Sequence, residues 1–173
     1  MIRSKRSGFL AVAALLFAAS SLGAQPSADA KPALERWLRE YDSAFNAKDV
    51  QALAAFYRPD VTVFEEGADS HGWDEYHTKH LAPELQRMEH PVLFHVHHTA
   101  RSVSAAGDAF LIVAEPRLRA EMAGGLVDVR FLETLLVVKD DHGAWKILHA
   151  HRSVLGQAGP LEKRLAGAKA GNP

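Results

Sequence analysis

The 173-residue sequence predicts an α+β domain in which three N-terminal helices cover one face of a curved, antiparallel or mixed sheet. Two observations carry that expectation. Apolar residues recur at helical spacing as far as Met88, and from Pro91 onward the period changes to two. The long alternating segments are joined by short Gly- and Asp-containing links of the kind that close antiparallel hairpins. No internal repeat marks a second domain.

The chain begins with Arg3, Lys5 and Arg6 and no acid, followed by the apolar run 8–19 and the small residues around Gly23 and Ala24. A charged head, an apolar body and a small-residue cleavage zone read as a secretory leader. The apolar run falls short of the ~20 residues that span a bilayer. Residues 1–24 are therefore expected to be a signal peptide and 25–31 a short linker, giving a periplasmic or secreted product with no stable membrane anchor after cleavage. Losing three cations leaves 17 basic against 21 acidic residues, a formal charge of −4.

Leu34, Trp37, Leu38, Tyr41 and Phe45 then form a one-sided helical stripe, with Pro32 suited to the first turn. Asp49 can cap a short second helix through Val50, Leu53, Ala54 and Phe56. Arg58-Pro59-Asp60 reads as a turn, Val61 to Glu65 as a strand, and His71 to Trp73 as a second short strand. Asp74 is expected to cap a third helix with Tyr76, His77, His80, Leu81, Leu85 and Met88 on its inner face, kinked or restarted at Pro83. Four strands follow over 92–104, 109–122, 126–139 and 145–155, and residues 156–173 read as a flexible tail.

Composition excludes several classes of function. Twenty basic residues against 21 acidic ones give no electrostatic footprint for nucleic acid. The absence of Cys removes iron–sulfur clusters, thiolate nucleophiles and Cys-based zinc sites. Ten His are the compositional oddity.

The order of elements resembles the nuclear transport factor two-like cone, also called SnoaL-like or ketosteroid-isomerase-like. The matching residues are Trp37, Tyr41 and Phe45, then Asn46, Asp49 and Leu53, the joint Gly107-Asp108-Ala109, and the closing strand Trp145-x-Ile147-x-His149-x-His151-x-Ser153. The resemblance covers residues 32–155 and implies a half-open cone around one pocket, often dimerising through the outer sheet face. It implies no single activity, since the fold hosts isomerases, dehydratases, hydrolases, binding domains and association domains. The steroid isomerase pattern asks for a pocket Asp with a Tyr/Asp oxyanion pair, whereas Tyr41, Tyr57 and Tyr76 all lie in the helical half. The Asp-Arg-Asp arrangement of epoxide hydrolases has no counterpart on an inner strand row.

Strand parity assigns faces. Trp145, Ile147, His149 and His151 share one face, expected to be the inner one because the other carries Lys146 and Arg152. Val127, Val129, Phe131, Glu133, Leu135 and Val137 form an apolar row with one acid, and Phe110, Ile112, Ala114 and Leu118 form another. On the first long strand, parity puts Val92, Phe94, Val96 and His98 inside and His95 with His97 outside, unless a β-bulge reverses it.

The chemical candidates follow. A lone carboxyl on an apolar face needs a partner, so Glu133 and His149 are the candidate acid/base pair, within a ligand pocket of Tyr41, Trp73, Tyr76, His98, Phe131 and His151. The plainer alternative pairs Glu133 with an Arg or Lys. A second candidate is a Cu, Zn or Ni site built from His95, His97, His149 and His151, with His77 and His80 as a further pair. Glu65 and Glu66 read as turn acids, and Gly124-Gly125 as a hairpin joint. The leading expectation is an exported, homodimeric domain that binds a small, largely apolar organic ligand without a cofactor, with isomerase-, dehydratase- or hydrolase-type turnover open. A periplasmic metal-binding protein and a non-catalytic interaction module are the alternatives.

Overall fold

The computed structural model describes residues 30–155. The expected leader over 1–24 and the expected tail over 156–173 lie outside them. Helix α1 (Ala30–Asn46) buries Leu34, Trp37, Leu38, Tyr41 and Phe45 on one side, as the stripe predicts. Asp49 caps α2 (Val50–Ala54), its carboxylate accepting from the Ala52 N–H at 2.9 Å. Strands β1 (Tyr57–Glu65) and β2 (Ala68–His71) make a hairpin, followed by α3 (Trp73–Tyr76), a π-helical turn (His77–Leu81) and α4 (Ala82–Arg87). The long strands are β3 (Glu89–Ser102), β4 (Ala109–Met122), β5 (Gly125–Lys139) and β6 (Trp145–Val154).

The first hairpin departs from expectation at three points. Arg58-Pro59-Asp60 belongs to β1 rather than to a turn. Pro59 is tolerated because the pairing of β1 with β6 is interrupted between Tyr57 and Thr62, so no ladder bond is lost there. The second short strand is 68–71, and the third helical segment begins at Trp73, with Gly72 rather than Asp74 at its cap. Gly72 has φ +95, and a Cβ there would meet the Pro59 carbonyl oxygen at 3.2 Å.

The six strands form one mixed sheet in the order β2-β1-β6-β5-β4-β3, antiparallel except for the parallel β1–β6 pair. The helices lie over the concave face, where the core is built from α1, the π-helical segment and the inner rows of β4 and β5. Those two rows are the expected ones, with Phe110, Ile112, Ala114, Leu118, Glu133, Leu135 and Val137 buried.

Two β-bulges overturn the parity of the other long strands. In β6 the register shifts by one residue at Leu148, so Ile147 faces the core but so do Ala150 and Arg152. His149 and His151 move to the outer face, next to Thr62 and Phe64 of β1. In β3 a second shift lies at Val96. Before it Leu93 and His95 face inward while Val92 and Phe94 are exposed, and beyond it His98 and Ala100 turn inward. Each bulge places one extra residue on its strand and reverses every side chain after it.

Candidate functional site

Glu133 sits in the middle of β5 at 1% exposure, and its register partner on β6 is Arg152. The Arg152 guanidinium donates through Nε to Glu133 Oε1, through Nη1 to the Tyr76 hydroxyl at 3.1 Å and through Nη2 to the Tyr41 hydroxyl at 2.9 Å. The Tyr41 and Tyr57 hydroxyls are 2.8 Å apart, which extends the network beneath α1. The second oxygen of Glu133, Oε2, accepts from His95 Nε2 at 2.8 Å. His95 Nδ1 in turn donates to Asp42 Oδ1 at 2.6 Å.

Helix α1 holds this end of the network in place. Asp42 and Asn46 lie one turn apart on α1, and both reach the edge strand β3. Asp42 Oδ2 accepts the His95 backbone N–H at 3.2 Å, while Asn46 accepts from the Leu93 N–H and donates to the Leu93 carbonyl at 3.0 Å. Two backbone donors of the edge strand are thereby satisfied, and the His95 ring is fixed relative to Asp42.

The electrostatics follow from these contacts. Both ring nitrogens of His95 face carboxylate oxygens, an arrangement only the doubly protonated imidazolium satisfies. Burial alone would lower its pKa, but the bonds to Asp42 and Glu133 outweigh burial and raise it to about 9. Burial likewise pushes the Glu133 carboxyl up, and Arg152 and His95 outweigh it and hold the pKa at about 2. Asp42, His95, Glu133 and Arg152 thus form a buried chain of alternating charge. Burial also raises the three tyrosine hydroxyls well above their usual range, so they remain neutral.

A cavity of about 20 Å3, room for one water-sized group, adjoins the network. Its apolar walls are Phe45, Leu93, Leu118 and Phe131, and its polar side is made of His95, Glu133 and Arg152 with Glu65 and Glu84 at the margin. The cone is therefore largely filled by its own side chains in this state.

The structure brings together only part of the expected site. Glu133, Tyr41 and Tyr76 meet in the network, and Phe131 lines the cavity. Trp73 stacks on Tyr57 at 4.8 Å between ring centres, behind the network. His98 faces inward as expected but lines an open hollow with Lys31 and Glu35. His149 is not the partner of Glu133: it bonds the Thr62 hydroxyl at 2.7 Å on the outer face, and His151 is exposed there beside it. The four-His set is equally excluded, because His95 lies inside the cone while His97, His149 and His151 lie on its outer side. The plainer alternative, Glu133 paired with an arginine, is what the structure contains.

Arg152, Asp42, Tyr57, Glu65 and Glu84 were not among the expected site residues. A signal existed for Asp42, a charged residue four after Leu38 and three before Phe45 on an otherwise apolar stripe. Glu65, expected in a turn, ends β1 with 8% exposure and faces the cavity. Its Oε2 is buried without a hydrogen-bond partner, 3.5 Å from His80 Nε2. Burial and the nearby Glu65 charge raise the Glu84 carboxyl above its usual pKa.

The SnoaL-like domain family matches residues 34–157. No curated protein matches the chain. Among solved structures, a nuclear transport factor 2-like superfamily protein from Salmonella enterica serovar Typhimurium is 14% identical, with a TM-score of 0.68 over 77% of this chain and 96% of that one. The hexachlorocyclohexane dehydrochlorinase LinA-type3 from Novosphingobium barchaimii is 13% identical, with a TM-score of 0.60 over 72% of this chain and 86% of that one. The CaMKII hub of S. rosetta is 25% identical, with a TM-score of 0.56 over 75% and 98%.

Proposed function

This chain belongs to the SnoaL-like family, and from that premise we propose that it binds a small, largely apolar organic molecule in the cone and transfers a proton to or from it through His95. The observation that carries this reading is His95 itself. One of its nitrogens is fixed by Asp42, and the other points at Glu133 on the polar side of a cavity with apolar walls. A histidine oriented by a carboxylate is a standard proton-transfer group. Arg152 lines the same cavity and places a cation where negative charge develops on a bound oxygen.

The cavity takes one water-sized group, so the ligand presents a single carbonyl, hydroxyl or carboxyl oxygen to the floor and keeps its apolar body nearer the mouth. When that oxygen displaces Glu133 from Nε2, the imidazolium becomes the proton donor. Residues 1–24 support export to a periplasm or the cell exterior, which sequencing the N-terminus of the mature protein would test.

The test titrates the protein, carrying isotope-labelled histidine, with a panel of small cyclic ketones, phenols and carboxylic acids. Binding should move the His95 ring resonances and leave those of His149 and His151 in place, and His95→Gln should abolish any turnover found. Ligands that bind without touching the His95 signals, or turnover that survives His95→Gln, overturn the reading.

A second reading rests on a different observation. The sheet exposes the large apolar side chains Phe64, Phe94, Val113 and Leu132 on β1, β3, β4 and β5, with Val113 and Leu132 on adjacent strands. This favours a homodimer across the sheet, with or without chemistry inside the cone.

A further inference from the structure

We propose that Glu65, His80 and Glu84 form a binding site for one divalent transition-metal ion of the zinc class at the mouth of the cone. The three residues come from separate elements, the end of β1, the π-helical turn and α4, yet one ligand atom from each lies within 4.8 Å of the other two. Glu65 Oε2 and His80 Nε2 are 3.5 Å apart. Bonds of about 2.0–2.1 Å at tetrahedral angles give a ligand-to-ligand edge of roughly 3.3 Å, so this pair already has the separation a shared ion requires.

The second, independent observation is that Glu65 Oε2 is buried with no hydrogen-bond partner. A buried carboxylate oxygen left unpaired costs free energy. Arg152 Nη1 stands 3.7 Å away, too far to bond, and its guanidinium is already committed to Glu133, Tyr76 and Tyr41. The chain Asp42–His95–Glu133–Arg152 is neutral within itself. Beyond it, Glu65 has Arg152 and His80 only at ion-pair distance, 3.7 and 3.5 Å. Burial and the Glu65 charge raise the neighbouring Glu84 carboxyl, a conflict between two close carboxyls that a divalent cation relieves.

The donor set narrows the ion. One imidazole nitrogen and two carboxylate oxygens suit zinc, whereas calcium and magnesium prefer oxygen alone. Three protein ligands leave the fourth tetrahedral position free, as zinc sites with an exchangeable water do. The π-helical geometry of His77–Leu81 has a role here. It widens the turn that carries His80, with the ring stacked on Tyr76 at 5.8 Å between centres, and π-bulges recur at functional sites.

The site borders the cavity used by the His95 chemistry proposed above, through Glu65 and Glu84. None of its ligands is His95, and its test reads metal binding rather than turnover, so the two can fail separately. The full chain, purified without a His tag and stripped with chelator, is titrated calorimetrically with zinc chloride and melted with and without it. One zinc per chain is expected, with a higher melting temperature in its presence. His80→Ala and Glu84→Gln should each weaken binding by about tenfold or more, while the double variant His149→Ala/His151→Ala should bind as wild type. Both single variants alter partly exposed positions, and their melting curves without zinc verify folding. The proposal is overturned if the wild-type chain takes up no zinc, if both single variants bind it undiminished, or if binding is lost in the outer-face double variant.

Discussion

Glu133 and Arg152 are direct cross-strand partners on β5 and β6, and both side chains point into the cone. That pairing joins two halves of the molecule. Through Glu133 the network reaches His95 and α1, and through Arg152 it reaches Tyr76 at the start of the π-helical turn. Removing one member of a buried ion pair strands the other charge. Arg152→Met should therefore cost about 3–5 kcal/mol in urea unfolding. Tyr57→Phe, which deletes one neutral hydrogen bond to Tyr41, should cost only about 1 kcal/mol. A cost for Arg152→Met no larger than that of Tyr57→Phe would show that the ion pair does not organise the core.

Stability should depend on pH through the same network. His95 has its pKa raised from 6.5 to about 9 in the folded state, so its contribution is complete below pH 6.5 and is lost as pH rises through 9. Glu133 is shifted the other way, from 4.5 to about 2, so its contribution is complete above pH 4.5 and is lost as pH falls towards 2. These two groups together give greatest stability between pH 4.5 and 6.5. Melting temperatures across the range should show that plateau. His95→Gln should flatten the alkaline limb and also shrink the acid limb, because His95 shares with Arg152 in holding the Glu133 carboxyl down.

The two histidine environments should separate in solution. Partial burial, with the charge of His151 nearby, lowers the His149 pKa below the ordinary 6.5, opposite in direction to His95. In a titration followed by imidazole resonances, His149 should lose its proton first and His95 should keep both ring protons through neutral pH. A neutral His95 at pH 7 would contradict the double-donor geometry between Asp42 and Glu133.

The outer face offers a further check. Leu132 is 46% exposed on β5, and Val113 on the adjacent β4 is similarly exposed. If copies of the chain meet there, Leu132→Lys should convert a dimer to a monomer in sedimentation velocity without lowering the monomer's unfolding free energy by more than about 0.5 kcal/mol. A variant that stays dimeric places the contact elsewhere.

Much of the architecture was legible because it depends on local pattern. The α1 stripe, the Asp49 cap and the inner rows of β4 and β5 follow from residue spacing alone, since 3.6 and 2.0 periods are properties of the backbone. The resemblance to the SnoaL-like cone rests on the same ordered features. Reading failed where a strand gains a residue. The bulges at Val96 and Leu148 have no clear signature in composition, and each exchanges the faces of the histidines around it. Treating a long cation as an outward-facing residue then hid Arg152, although Glu133 on an apolar row already called for such a partner.

Residue spacing thus sets the class of fold, the helical stripe and the presence of one acid on an apolar strand face. The tertiary structure alone decided that acid's partners. Asp42, His95, Glu133 and Arg152 are separated by 53, 38 and 19 positions along the chain, and no local periodicity links them. They meet because α1 crosses the edge strand and two bulges turn the right faces inward. A buried carboxylate can stay charged there only where opposite charges from distant segments converge.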